Sequence, residues 1–347
     1  MLKTGLDVTD VGQNGAGHDA HISRWHHHLH PHVHRHHARN GLPRCVRDLI
    51  HPTHVTLTHD AEGDFHWTSR NHRKHRNQRV SPSGYSRYAK NLPLKLARFR
   101  KLEYWNISWW VAVTYTFGSI VWVVNGFAVF LPFVSTSFQE AANSVGWTAW
   151  VGATIFEIGS ILGILEAWNR DDVVDFGWNV ERELIFHSEK AAKPPTTWIW
   201  FSTDPKFFHE LGFLAAFSQL CAATIFWISG WTAIPSIESS ISKSNGLLDG
   251  VFWTPQVVGG SGFIISSIFI MLETQRKWYL PDPLSLGWHV GFWNFIGAVG
   301  FTLCGALGYG AKVSSGVAYQ SSLSTFWAGW AFLIGSLIQW YEAVNSI

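Results

Sequence analysis

The sequence predicts an all-α integral membrane protein, with six transmembrane helices formed as three repeated helix hairpins and preceded by a disordered, histidine-rich arm. Three observations lead there. Six apolar runs approach the roughly 20 residues needed to cross about 30 Å of hydrocarbon. The composition breaks sharply near residue 105, polar before it and oily after it. One motif, a phenylalanine ten residues ahead of a glutamate, recurs in every second run.

The arm comes first. Residues 1–105 hold 17 of the 26 Lys and Arg but only 8 of the 24 Asp and Glu, a formal +9, whereas the remainder carries a formal −7. Of the 19 histidines, 16 lie in the first 75 residues. Few aliphatic side chains are present to bury, so residues 1–78 are expected to form no core of their own. His26, His27, His28, His30, His32, His34, His36 and His37 stand one or two residues apart. Neutral imidazoles so spaced bind Zn²⁺, Cu²⁺ or Ni²⁺ with little preorganisation. The competing reading is a low-complexity tract whose charge rises below about pH 6.5. No CxxC or HExxH pattern accompanies the tract, so a catalytic metal is not indicated. The chain does not open with a basic stretch and a short apolar run, so the first span is expected to direct membrane targeting.

Residues 79–104 form a basic juxtamembrane segment. Lys90–Lys101 set five basic side chains among Leu94, Leu96, Phe99 and Leu102. That pattern reads either as an amphipathic segment lying on anionic lipid headgroups or as a plain positive anchor.

The body, residues 105–347, carries spans at Ile107–Phe133, Val145–Trp168, Leu211–Ile234, Val251–Leu272, Val290–Tyr309 and Leu323–Tyr341, giving hairpins 107–168, 211–272 and 290–345. Thirteen Lys and Arg flank one set of span ends: six from Arg87 to Lys101, five in the 169–208 loop, and Arg276 with Lys277. Lys243 and Lys312 alone flank the other set. The excess of positive charge places the arm and both termini in the cytosol, with the plasma membrane the favoured bilayer. The lipid bilayer is then the principal partner, and no nucleic-acid partner is expected. Cys45, Cys221 and Cys304 form an odd set without a CxxC, so no disulfide scaffold is expected.

The repeat is plainest in the even spans. Phe156…Glu166, Phe263…Glu273 and Phe332…Glu342 keep the same spacing and carry a pair of small residues at the same offset. The odd spans match through Ser119, Trp122 and Gly126; Ala223, Phe226 and Gly230; and Ala298, Phe301 and Gly305. Gly152, Gly159 and Glu166, then Gly259, Ser266 and Glu273, then Ala328, Gly335 and Glu342 are each seven apart, close to two helical turns, and so share a helix face. Small residues on that face allow close backbone approach, which is how helices associate in lipid. Each repeat glutamate ends its helix, where a carboxylate opposes the macrodipole and asks for a partner. Either a neighbouring cation or indole N–H closes the bundle base, or the three carboxylates form a cation site.

These hairpins, with Trp253-Thr-Pro-Gln-Val-Val-Gly-Gly, Leu272-Glu-Thr-Gln-Arg-Lys-Trp-Tyr-Leu-Pro and Gly287-Trp-His-Val-Gly-Phe-Trp-Asn-Phe-Ile-Gly-Ala, resemble a family of fungal multi-pass membrane proteins. Their paired-helix unit is similar to the YrhK-like domain. The resemblance spans about 104–345 and implies architecture but no assigned activity.

Glu157 is the one acidic residue deep in a span, about 13 Å of helix rise from Glu166. An ionisable group there costs several kcal/mol unless neutralised or paired. It reads as a neutral hydrogen-bonding group or as a proton or cation relay, with Gln219, Cys221 and Asn294 as candidates to face it. No nucleophile elbow, phosphate loop or intramembrane histidine cluster appears, so an enzyme is not expected. Two functions remain level: a small cation- or proton-linked transporter or sensor with a metal-binding arm, and a non-transporting scaffold or accessory protein. An aqueous path would need inward polar side chains on several helices, and the spans look poor in them.

Overall fold

The computed structural model describes residues 33–39, 42–47, 49–59, 63–74, 96–138, 143–169 and 198–345. Six helices are long and apolar enough to cross a membrane: Ile107–Val134, Ser144–Trp168, Leu211–Thr232, Asn245–Thr274, Leu286–Gly308 and Ser315–Val344, here called spans 1 to 6. The chain is a multi-pass membrane protein. Three spans, 4, 5 and 6, start several residues earlier than expected. Polar first turns, as in Ser315–Ser322 of span 6, lower the local hydropathy without breaking the helix. Span 4 likewise begins at Asn245 and passes through a π-helical turn, Asp249–Trp253, before Thr254–Thr274. Pro255 follows in the first turn of that α-helix, where a missing N–H is tolerated.

Each span packs on its neighbours in sequence, and span 6 returns to span 1, so the six close into a ring. Its centre is aromatic. Trp122, Phe156, Phe226, Phe263, Phe301 and Phe332, one from each span, form a single buried cluster. Ring centroids lie 4.7 Å apart for Trp122–Phe301 and 5.4 Å for Phe156–Phe332, Phe226–Phe301 and Phe301–Phe332. Such pairs add about 0.5–1.5 kcal/mol each beyond area burial.

The small residues of the even spans sit at close contacts inside each hairpin. A Cβ on Gly152 would fall 2.9 Å from Trp122 Nε1, and one on Gly159 would fall 3.1 Å from the Tyr115 ring. Gly259 lies against Phe226 and Ala222, and Gly335 against Asn294. Ser266 Oγ donates to Ala215 O at 2.8 Å, and Ala328 is fully buried against Gly300. The three cysteines are free.

The described residues between 33 and 74 form regular structure where a disordered arm is expected. Strands β1 (Val33–Arg39), β2 (His54–His59) and β3 (Gly63–Thr68) form an antiparallel sheet in sequence order. A short arm helix, Ser69–Arg73, follows, capped by Thr68, whose hydroxyl accepts from the Asn71 amide. The segment needs no core of its own because it docks on the bundle. His51 N donates to His209 O at 2.7 Å, beside the 3-10 turn Pro205–His209, and the arm helix inserts its cations among the span ends.

Candidate functional site

Even spans end, and odd spans begin, at one end of the ring. There Glu166, Glu273 and Glu342 are only 4%, 1% and 7% exposed. The arm helix meets them. Arg70 donates to Glu342 through Nε (2.8 Å) and Nη2 (2.7 Å), a bidentate pair, and Lys74 Nζ reaches the same carboxylate at 2.7 Å. Arg73 Nη2 pairs with Glu273 at 2.6 Å, Ser69 Oγ donates to Glu273 at 3.2 Å, and Arg70 Nη1 lies 3.7 Å from it. Glu166 accepts from Ser108 Oγ at 2.5 Å. Burial works against the charge on Arg70, but Glu342, Glu273 and Glu166 outweigh it and hold its pKa above the ordinary guanidinium value. Three arm cations thus pair with two of the carboxylates, Glu273 and Glu342, and balance the unfavourable charge at those two helix C-termini, while Glu166 is held by Ser108.

Glycine makes the docking possible. The second residue of each odd span is Ser108, Gly212 or Gly287, at one register of the hairpin. A Cβ on Gly287 would meet Arg70 Cδ at 2.7 Å, and one on Gly212 would meet Glu273 Oε1 at 2.7 Å and Arg73 Nε at 2.9 Å. Where the first hairpin has Ser108 instead, the hydroxyl satisfies Glu166 and no arginine enters. Comparing those three positions is the sequence signal that could have found the cluster.

Between the arm cations and the aromatic layer lies a cavity of about 70 Å³, room for a few waters at roughly 10–15 Å³ of such volume each. Its lining takes a polar side chain from every span: Tyr115, Ser160, Gln219, Ser266, Asn294 and Ser336 in order. Tyr115 Oη and Ser160 Oγ lie 2.9 Å apart. The expected scarcity of inward polar groups is therefore corrected. There are few per helix, but the ring aims one or more from each at the axis.

The singled-out residues divide. The three repeat glutamates come together with arm cations between them, and among the described residues no group of His, Cys, Asp and Glu is arranged to hold a metal. Glu157 does not line the cavity. It sits in the seam of spans 2 and 3, where Thr224 donates to its Oε1 at 2.9 Å, while Oε2 is buried without a partner. Gln219 and Asn294 face the cavity instead, and Cys221 is exposed. Helix geometry explains the difference, since Ser160 rather than Glu157 occupies the inner face. His26, His27, His28, His30 and His32 lie outside the described residues, as do Lys90, Lys95 and the acidic first half of the 169–208 loop; His34, His36 and His37 fall within β1.

Comparison with protein-family models, with curated proteins and with solved structures yields no match.

Proposed function

We propose that this protein is a small cation- or proton-linked transporter or sensor whose arm closes the inner mouth of an axial path. The observation that carries the reading is the cavity to which all six spans contribute a polar side chain, ending at Glu166 and at the arm cations Arg70, Arg73 and Lys74, which cover the buried Glu273 and Glu342. Polar groups that a bilayer protein places on its axis, away from lipid, favour water or ions there. With Arg70, Arg73 and Lys74 withdrawn, the mouth would carry three negative charges and attract cations. The aromatic layer above it acts as a dewetted constriction.

On the positive-inside orientation this mouth would face the cytosol, the side on which the His26–His37 tract would also lie. Zn²⁺, Cu²⁺, Ni²⁺ or protons taken up by that tract would act through β1 and β2 on the arm helix, which supplies the sensing element. Anionic headgroups at Lys90–Lys101 anchor the same segment. The resemblance to paired-helix, YrhK-like membrane proteins belongs to the same reading.

A non-transporting scaffold is favoured by a different observation: six aromatic side chains pack against one another on the axis at one level. Proton and potassium flux into liposomes holding the purified protein distinguishes the two. Flux above empty liposomes, increasing on acidification of the arm side, is expected for transport. A protein that moves neither ion under any condition is the scaffold.

A further inference from the structure

On the far side of the aromatic layer the ring opens into a second cavity of about 570 Å³. Small-molecule sites fall within about 300–1,000 Å³. Its floor and wall are aromatic, from Trp122, Phe226, Phe252 and Trp253. Set among these rings are Ser229, Gln256 and Ser322, only 4%, 7% and 7% exposed. Ser321 and Thr325, also in the lining, spend their hydroxyls on Cys304, at 2.9 Å each to O and Sγ. Asn125 Nδ2 donates to Val145 O at 2.8 Å and to Thr148 Oγ1 at 2.9 Å. The side chains of Ser229, Gln256 and Ser322, by contrast, make no hydrogen bond within the described residues. Their polar atoms are not sealed away but open into the cavity, where a bound molecule can replace water as their partner.

Trp253 and Gln256 belong to the Trp253-Thr-Pro-Gln motif that the axial path leaves unused. The π-helical turn Asp249–Trp253 delivers them, and such turns recur at functional sites because they re-aim side chains out of α-helical register. Thr254 Oγ1 steadies the turn through Asp249 O and Tyr309 Oη, both at 2.7 Å. Charge is confined to Glu238 and Lys312, and Lys312 is engaged by Ser242 O at 3.0 Å and Asn245 Oδ1 at 3.1 Å.

We propose that this cavity is a binding site for an uncharged, hydroxyl-rich small molecule of the sugar or polyol class. The apolar face of such a molecule stacks on Trp122 and Trp253, and its hydroxyls satisfy Gln256, Ser229 and Ser322. The absence of a free charge among the deep lining residues selects against ions. The site stands whether or not the axis conducts.

Isothermal titration calorimetry on the full-length protein in detergent tests it, with glucose, trehalose, sorbitol and glycerol as probes and choline and glutamate as charged controls. At least one uncharged probe is expected to bind saturably, and Gln256→Leu is expected to weaken it about tenfold, the factor for one well-made hydrogen bond. The midpoint of thermal unfolding should stay nearly unchanged, because leucine keeps the packing volume of the buried Gln256 side chain and breaks no hydrogen bond among the described residues. Ser322→Ala, a smaller change, should weaken the same probe without altering stability. No saturable binding of any uncharged probe, tighter binding of choline or glutamate, or undiminished affinity in both variants would overturn the proposal.

Discussion

Arg70 of the arm and Glu342 at the end of the last span form a bidentate ion pair, with Nε and Nη2 at 2.8 and 2.7 Å from the two carboxylate oxygens, across 272 residues of sequence. Both side chains are buried, so the pair couples the arm to the membrane body. Breaking a buried pair outright costs about 3–5 kcal/mol, and the loss of Arg70 costs part of that, because Lys74 still reaches Glu342 at 2.7 Å. Arg70→Ala should therefore free the arm. Limited proteolysis of the arm, with thermal unfolding alongside, is expected to show faster cleavage and a lower midpoint. An arm as resistant as in the native chain would show that the pair does not hold it.

Gly287 offers a gentler route to the same end. An added methyl would crowd Arg70 Cδ at 2.7 Å and Thr274 Cγ2 at 2.8 Å. Overpacking of this kind costs about 1–3 kcal/mol. Gly287→Ala should loosen the arm while span 5 stays helical. Amide hydrogen exchange at Ser69–Arg73 reads the loosening directly, and the amides of span 5 serve as the internal control.

Docking should also depend on pH. His54, at the start of β2, is held below the ordinary imidazole value of 6.5 by burial first and then by Arg276, while Glu273 and Asp282 pull the other way. The folded chain binds this proton less readily than the unfolded one, so the docked state is fully favoured above about pH 6.5 and loses stability as pH falls below it. Hydrogen exchange in β2 should accelerate on acidification, and His54→Gln should flatten that dependence. A pH-independent rate in the native chain would remove His54 from the account.

Gly159 and Gly163 separate packing from pathway. Gly159 faces the Tyr115 ring at 3.1 Å, whereas Gly163 lines the inner cavity with nothing within 4 Å of an added Cβ. Gly159→Leu should destabilise the bundle by about 1–3 kcal/mol. Gly163→Leu should fold normally and fill the cavity. Equal loss of detergent stability in both would contradict this division.

Spans and core were legible because they are written in composition and period. The Phe and Glu of each even span repeat at a fixed interval, and the six aromatic residues they index meet on the axis. The arm's role was not legible. Residues 1–78 are expected only to lack a core of their own; the structure draws three buried cations from among them onto two buried carboxylates, Glu273 and Glu342. Pairs such as Arg73–Glu273 join residues 200 apart, and nothing local in either segment names its partner. The axial polar lining escaped notice for a related reason, since it is spread over all six spans and only the ring gathers it. Glu157 drew attention by its charge, yet its seam position gives it Thr224 rather than the axis. Glu157→Gln is accordingly expected to leave both flux and stability unchanged.

Cation flux in liposomes, comparing the native chain with a variant carrying Arg70→Ala, Arg73→Ala and Lys74→Ala, tests the closed axial path most directly. The account predicts faster potassium or proton flux in the triple variant, abolished when Gly163→Leu is added. A triple variant that remains folded by circular dichroism yet moves no more of either ion than empty liposomes would contradict it.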